Sequence, residues 1–167
     1  EGRYPSRIPL VFAHWWGEGL HDQYGARLGE LARYPEDAIC IGLPKLDIQA
    51  MKLSWDINQG GAHDSRVVID DWSKLDEFIA KLPDPARNPC FDELARQAAK
   101  CREEDRYLIV GWWGLFFETP WGLRGMENLM VDYYENPDRI HRLHSALCDL
   151  YCRIIRKAAE ALKRWVD

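Results

Sequence analysis

Two stretches of this chain end alike, and that repetition limits the fold more than any other feature. Pro9-Leu-Val-Phe-Ala-His-Trp-Trp-Gly17 and Tyr107-Leu-Ile-Val-Gly-Trp-Trp-Gly114 are each an apolar run closed by Trp-Trp-Gly. A continuous apolar run of this length reads as a strand buried on both faces. A third run, Asp37 to Leu43, is closed by Pro44. Helical patterns fall between and after these runs, and strand and helix in alternation imply a parallel sheet.

The helices are marked by spacing and caps. Leu20, Tyr24, Leu28 and Leu31 predict a helix over 20–34 that stops before Pro35. Ser73, with Asp76 three residues on, predicts an N-capped helix to Leu82. Pro83, Pro85 and Pro89 form a linker, and a helix follows from Phe91 to Glu104. Met126 to Tyr134 reads as helical, and Asn136 with Pro137 opens the longest helix, ending near Lys163. Ile140, Leu143, Leu147, Leu150 and Ile154 recur at three and four, a stripe that faces a core. Trp165-Val166-Asp167 reads as the entry to a further strand.

Lys52 to Ile57 and Arg66 to Asp70 are strand-like around the turn residues Asn58-Gln59-Gly60-Gly61, which predicts a β-hairpin inserted over about 51–71. No Gly-x-Gly-x-x-Gly follows any strand, which removes the main argument for a dinucleotide fold. The expectation is therefore an α/β chain, 1–167, forming about the first half of a TIM-type (β/α) barrel with an inserted hairpin.

Composition narrows the function. With 47% hydrophobic and 29% charged residues the 167-residue chain has a core to bury. A net charge of −5 and the lack of a basic stripe argue against nucleic-acid binding. No apolar run approaches the roughly 20 residues of a membrane helix. The opening residues 1–6 lack the basic and apolar regions of a signal peptide. Five cysteines without framework spacing read as free thiols, and the expected compartment is the cytoplasm.

In barrels the carboxyl ends of strands carry the chemistry. Residues placed there are His14, Trp15, Trp16 and Glu18 from the first run, and Trp112, Trp113, Glu118, Trp121 and Arg124 from the other. Glu118, Glu18 and His14 are the candidate acids and bases, and the Trp residues with Arg124 the candidate substrate contacts. A carboxylate beside aromatic faces also holds a cation well. For each single Trp, capping a core is as good a reading as binding a ligand; four at equivalent ends favour a ligand surface.

The segment Gly111-Trp-Trp-Gly-Leu-Phe-Phe-Glu-Thr-Pro-Trp-Gly-Leu-Arg-Gly-Met-Glu-Asn-Leu-Met130, continuing into Tyr133-Tyr-Glu-Asn-Pro-Asp-Arg-Ile140, resembles the uroporphyrinogen decarboxylase-like family, which also contains cobalamin-dependent methyltransferases. The opening 3–17 and Gly60-Gly61-Ala-His-Asp-Ser-Arg66 resemble it too. The resemblance covers nearly the whole chain and about the first half of a family member. It implies an enzyme acting on a small methylated or corrinoid-linked substrate by methyl transfer, with a corrinoid protein as partner. Porphyrinogen decarboxylation in tetrapyrrole biosynthesis is the alternative. A third possibility, of another class, is a non-catalytic half-barrel completed by a second copy or a complementing chain.

The chain departs from the decarboxylases of that family. Their Arg-rich motif after the first strand is here His14-Trp-Trp-Gly-Glu-Gly19, and their second-strand Asp has only Asp47 as a counterpart. A polycarboxylate would meet Glu18 and Glu118. The methyltransferases bind zinc through ligands of their later half, outside this chain. On the long helix, His141, His144, Cys148 and Cys152 share a sector, yet they span about 16 Å of axis, too far for one ion. No metal site is expected there.

Overall fold

The computed structural model describes residues 8–11, 19–30, 36–48, 51, 67–112 and 114–163. The inserted hairpin lies almost wholly outside the described residues, as do the first Trp-Trp-Gly, Trp113 and the strand entry at 165–167. The described part of the hairpin's second arm, 67–70, forms no strand.

Two of the three expected strands stand where the apolar runs put them. β1 (Ala38–Gly42) and β2 (Tyr107–Gly111) pair in parallel, with Cys40 opposite Ile109. The connection between them runs through a 3-10 turn (Trp72–Lys74), α3 (Leu75–Ala80), a second 3-10 turn (Pro85–Arg87) and α4 (Cys90–Glu103). After β2 come α5 (Glu118–Arg124), α6 (Met126–Glu135) and α7 (Pro137–Leu162). Ahead of β1 the expected single helix is broken into α1 (Leu20–Tyr24) and α2 (Ala26–Gly29). The break is at Gly25, whose φ of 43° no helical residue adopts.

The half-barrel expectation is overturned. About 62% of the described residues are helical, and among them the sheet has two strands. The physical reason lies in how the helices cover one another. In a barrel each helix lays its apolar stripe on its own strand. Here α4 packs on the sheet, α7 packs on α4, and α6 packs on α7, so the core is mainly between helices. The described residues are α-rich, with a small parallel sheet.

That arrangement also corrects the reading of both strands as doubly buried. Ile41, Leu108 and Val110 pack against the core, whereas Cys40, Tyr107 and Ile109 on the alternate face are exposed. Tyr107 is 73% exposed and Ile109 48%, and Cys40, opposite Ile109, is exposed too. A strand with one covered face needs apolar residues only at every second position.

α7 forms as its sequence dictates. Asn136 takes the N-cap position, Pro137 stands at the first helical position, and Ile140, Leu143, Leu147, Leu150 and Ile154 are buried. Tyr151 joins that stripe one step past Leu150. The start of the α3 region differs in detail. Asp71, not Ser73, is the cap: its carboxylate accepts from the Ser73 backbone N–H at 2.8 Å. The Ser73 hydroxyl, and after it that backbone bond, hold the Asp71 carboxyl below its ordinary range. Asp76 instead pairs with Arg142 on α7.

Candidate functional site

The carboxyl ends of β1 and β2 open into a cavity of about 200 Å³. Lys45, Leu46 and Ile48 reach it from the segment after β1, and Trp112 and Leu115 from the segment after β2. Glu118, Thr119, Gly122 and Leu123 line it from α5, and Tyr151 from α7. The walls are mostly apolar, with a few polar groups at the edge, the usual make-up of a small-molecule site.

Hydrogen bonds fix its two aromatic rings. Trp112 donates from Nε1 to the Pro44 carbonyl at 2.9 Å, which ties the end of β2 to the segment after β1. Tyr151 Oη donates toward Thr119 Oγ1 at 3.1 Å, with the Leu115 carbonyl at 3.3 Å. Thr119 in turn donates to the Gly114 carbonyl at 3.1 Å. Burial pushes the Tyr151 hydroxyl above the ordinary tyrosine range, and the bond to Thr119 offsets this in part. Tyr151 is therefore a neutral hydroxyl at physiological pH. The rings of Trp112 and Tyr151 lie 5.6 Å apart at 52°.

Gly114 shapes the turn that places Glu118. Its φ is 76°, a left-handed conformation that favours glycine, and a Cβ there would collide with the Glu118 carboxylate. The second Trp-Trp-Gly thus ends in glycine for a reason visible at the site. Glu118 begins α5 and folds back over that turn.

Of the sequence-derived site residues, Trp112 and Glu118 line the cavity. Trp121 does not; it is half-buried on α5, with its ring 6.4 Å from Phe117. His14, Trp15, Trp16, Glu18 and Trp113 lie outside the described residues. Lys45, Thr119 and Tyr151 were missed by sequence reasoning. The signal for Tyr151 was its place at Leu147 plus four, on the buried face of α7.

Arg124 serves a structural role away from the cavity lining. It is 6% exposed, and its guanidinium pairs with Asp132, itself 3% exposed, at 2.6 Å. It also donates to the carbonyls of Ile69 and Asp70 and stacks over the Trp72 ring at 4.5 Å. Asp132 accepts further from Trp72 Nε1 at 3.0 Å and from Asn136 Nδ2 at 2.8 Å. Val68 and Ile69 both donate backbone N–H bonds to the Leu123 carbonyl. Together these bonds fasten the segment before α3 to α5, α6 and the cap of α7.

The His and Cys stripe of α7 does not form a metal centre. Among the described residues no group of three or more His, Cys, Asp or Glu side chains is placed to hold an ion. The donors present do not fit zinc, which wants four ligands in a structural site and three in a catalytic one. His144 instead meets Tyr133 Oη at 3.2 Å and stacks on Phe116. Burial, with His141 nearby, holds its imidazole below the ordinary range. Cys148 shares a hydrogen bond with Cys152, which raises its thiol pKa. All five cysteines are free thiols. Among the described residues no helix is long and apolar enough to cross a membrane. No protein family, curated protein or solved structure matches the chain.

Proposed function

We propose that the cavity at the strand ends is the small-molecule site of an enzyme akin to the uroporphyrinogen decarboxylase-like methyltransferases, acting on a small methylated or corrinoid-linked substrate. The observation that carries this reading is that Glu118 and two fixed aromatic rings line one mostly apolar cavity. The likeness of residues 111–140 to that family supports the reaction class. Trp112 and Tyr151 orient the substrate, and the apolar walls limit water around the methyl group. Glu118 exchanges a proton with the heteroatom that gains or loses the methyl group. A corrinoid-bearing protein is the partner this chemistry calls for, and five free thiols suit a cytoplasmic setting.

Size and charge speak against uroporphyrinogen as substrate. The cavity is smaller than the roughly 300–1,000 Å³ of sites for drug-sized ligands, and a tetrapyrrole is larger still. Among the described lining residues Lys45 is the one cation, and Arg124 is held by Asp132.

The test is turnover by the full protein with small methylated amines, ethers or thioethers and a cob(I)alamin acceptor, followed by absorbance. Methyl transfer that drops at least tenfold in Glu118→Gln and Trp112→Ala is the expected result. Unchanged kinetics in both variants would overturn the site. Uroporphyrinogen should give no coproporphyrinogen.

A further inference from the structure

The charges around the cavity come from two different elements. Lys45 stands on the segment after β1, and Glu118 in the first turn of α5. Leu46, Ile48, Leu115 and Leu123 supply apolar wall to the same cavity. Among the described lining residues the charged groups are one cation and one carboxylate, which favours a ligand with both charges over an ion of either sign.

The rings decide what kind of cation. Trp112 already donates its N–H to Pro44, and the Tyr151 hydroxyl proton goes toward Thr119. What the rings present to a ligand is mainly their faces and C–H edges. A π face beside a carboxylate attracts an organic cation, and a methylated ammonium needs no hydrogen-bond acceptor for the positions its methyl groups occupy. Primary ammonium groups bring three donors that want oxygen partners, and the side-chain oxygens of the described lining are those of Glu118, Thr119 and Tyr151, the last two already hydrogen-bonded.

We propose that the ligand is a small zwitterion with an N-methylated ammonium group and a carboxylate, the ammonium against Trp112, Tyr151 and Glu118 and the carboxylate toward Lys45. This rests on the reading of the cavity as the substrate site, and it names the substrate class. A volume of about 200 Å³ suits a molecule of that size.

Titration calorimetry on the full chain tests it with four probes: glycine betaine, its carbon isostere the tert-butylacetate ion, tetramethylammonium, and glycine. Glycine betaine should bind at least tenfold more tightly than each of the others. Glu118→Gln and Trp112→Leu should each weaken betaine by about 3- to 30-fold, the range of a partly desolvated cation–π contact. Lys45→Met should weaken betaine and leave tetramethylammonium unchanged. Circular dichroism of each variant confirms that the fold is kept, and Tyr151→Phe, which retains the ring, should keep most of the affinity. Equal affinity for betaine and tert-butylacetate overturns the proposal, and so does no heat with betaine. Methyl transfer from other donors without betaine binding would refute this ligand class alone. Betaine binding without methyl transfer to cob(I)alamin would support the ligand class and refute the enzymatic reading.

Discussion

Two places in this molecule contain nearly the same chemical parts. One combines Trp72, Asp132 and Arg124; the other combines Trp112, Glu118 and Lys45. In the first, the indole N–H and the guanidinium both end on the buried Asp132 carboxylate, at the junction of α5, α6 and the turn before α3. In the second, the indole N–H is turned away to a backbone carbonyl, and the ring borders a cavity. A set of groups that satisfies itself makes structure. The same kinds of group lining a cavity make a site.

The self-satisfied junction should show the largest effect when broken. Arg124→Met leaves Asp132 buried with Trp72 and Asn136 as its remaining partners. Breaking a buried pair in this way costs about 3–5 kcal/mol, read from urea unfolding. Ligand binding measured well below the new unfolding midpoint should be kept, because Arg124 is not among the cavity's lining residues.

Gly114→Ala attacks the other region. A left-handed φ costs a residue with a Cβ roughly 1–2 kcal/mol, and the new methyl group would displace the Glu118 carboxylate. Affinity for betaine should fall further than stability does, which is the reverse of the Arg124 variant. Asp71→Ala removes the cap of the turn before α3 and should cost about 1 kcal/mol of stability with no change in binding.

The smallest effect concerns pH. His144 has its folded pKa depressed, so the unfolded chain takes up the proton more readily. Stability is then lost as pH falls through the ordinary imidazole value of about 6.5. Melting temperatures of the protein from pH 7.5 to 5.5 should decline, and His144→Gln should make that decline shallower.

Local signals gave what they are suited to give. Asn136-Pro137 and the spacing from Ile140 to Ile154 fixed the long helix, and the apolar runs located β1 and β2. The repeated Trp-Trp-Gly led to Trp112, Gly114 and Glu118 at a strand mouth. What failed was the step from strand order to a half-barrel, because helix packing on helix leaves no local mark in the sequence. Arg124 looked like a substrate contact since Asp132, eight residues on, and Trp72, more than fifty residues earlier, meet it only after α5 and α6 fold together. Lys45 gave no signal, as a charged residue after a strand is ordinary loop chemistry. Asp71 and Ser73 are both good caps two residues apart, and only geometry chooses between them.

The indole N–H resonances of Trp112 and Trp72 test the central distinction most directly. They are assigned among the eight tryptophans by Trp112→Phe and Trp72→Phe. On adding glycine betaine in a two-dimensional nitrogen-proton spectrum, the Trp112 peak should shift and saturate while the Trp72 peak stays in place. A Trp112 peak unmoved by high ligand concentrations, or equal shifts at both residues, would contradict the assignment of the strand-end cavity as the site.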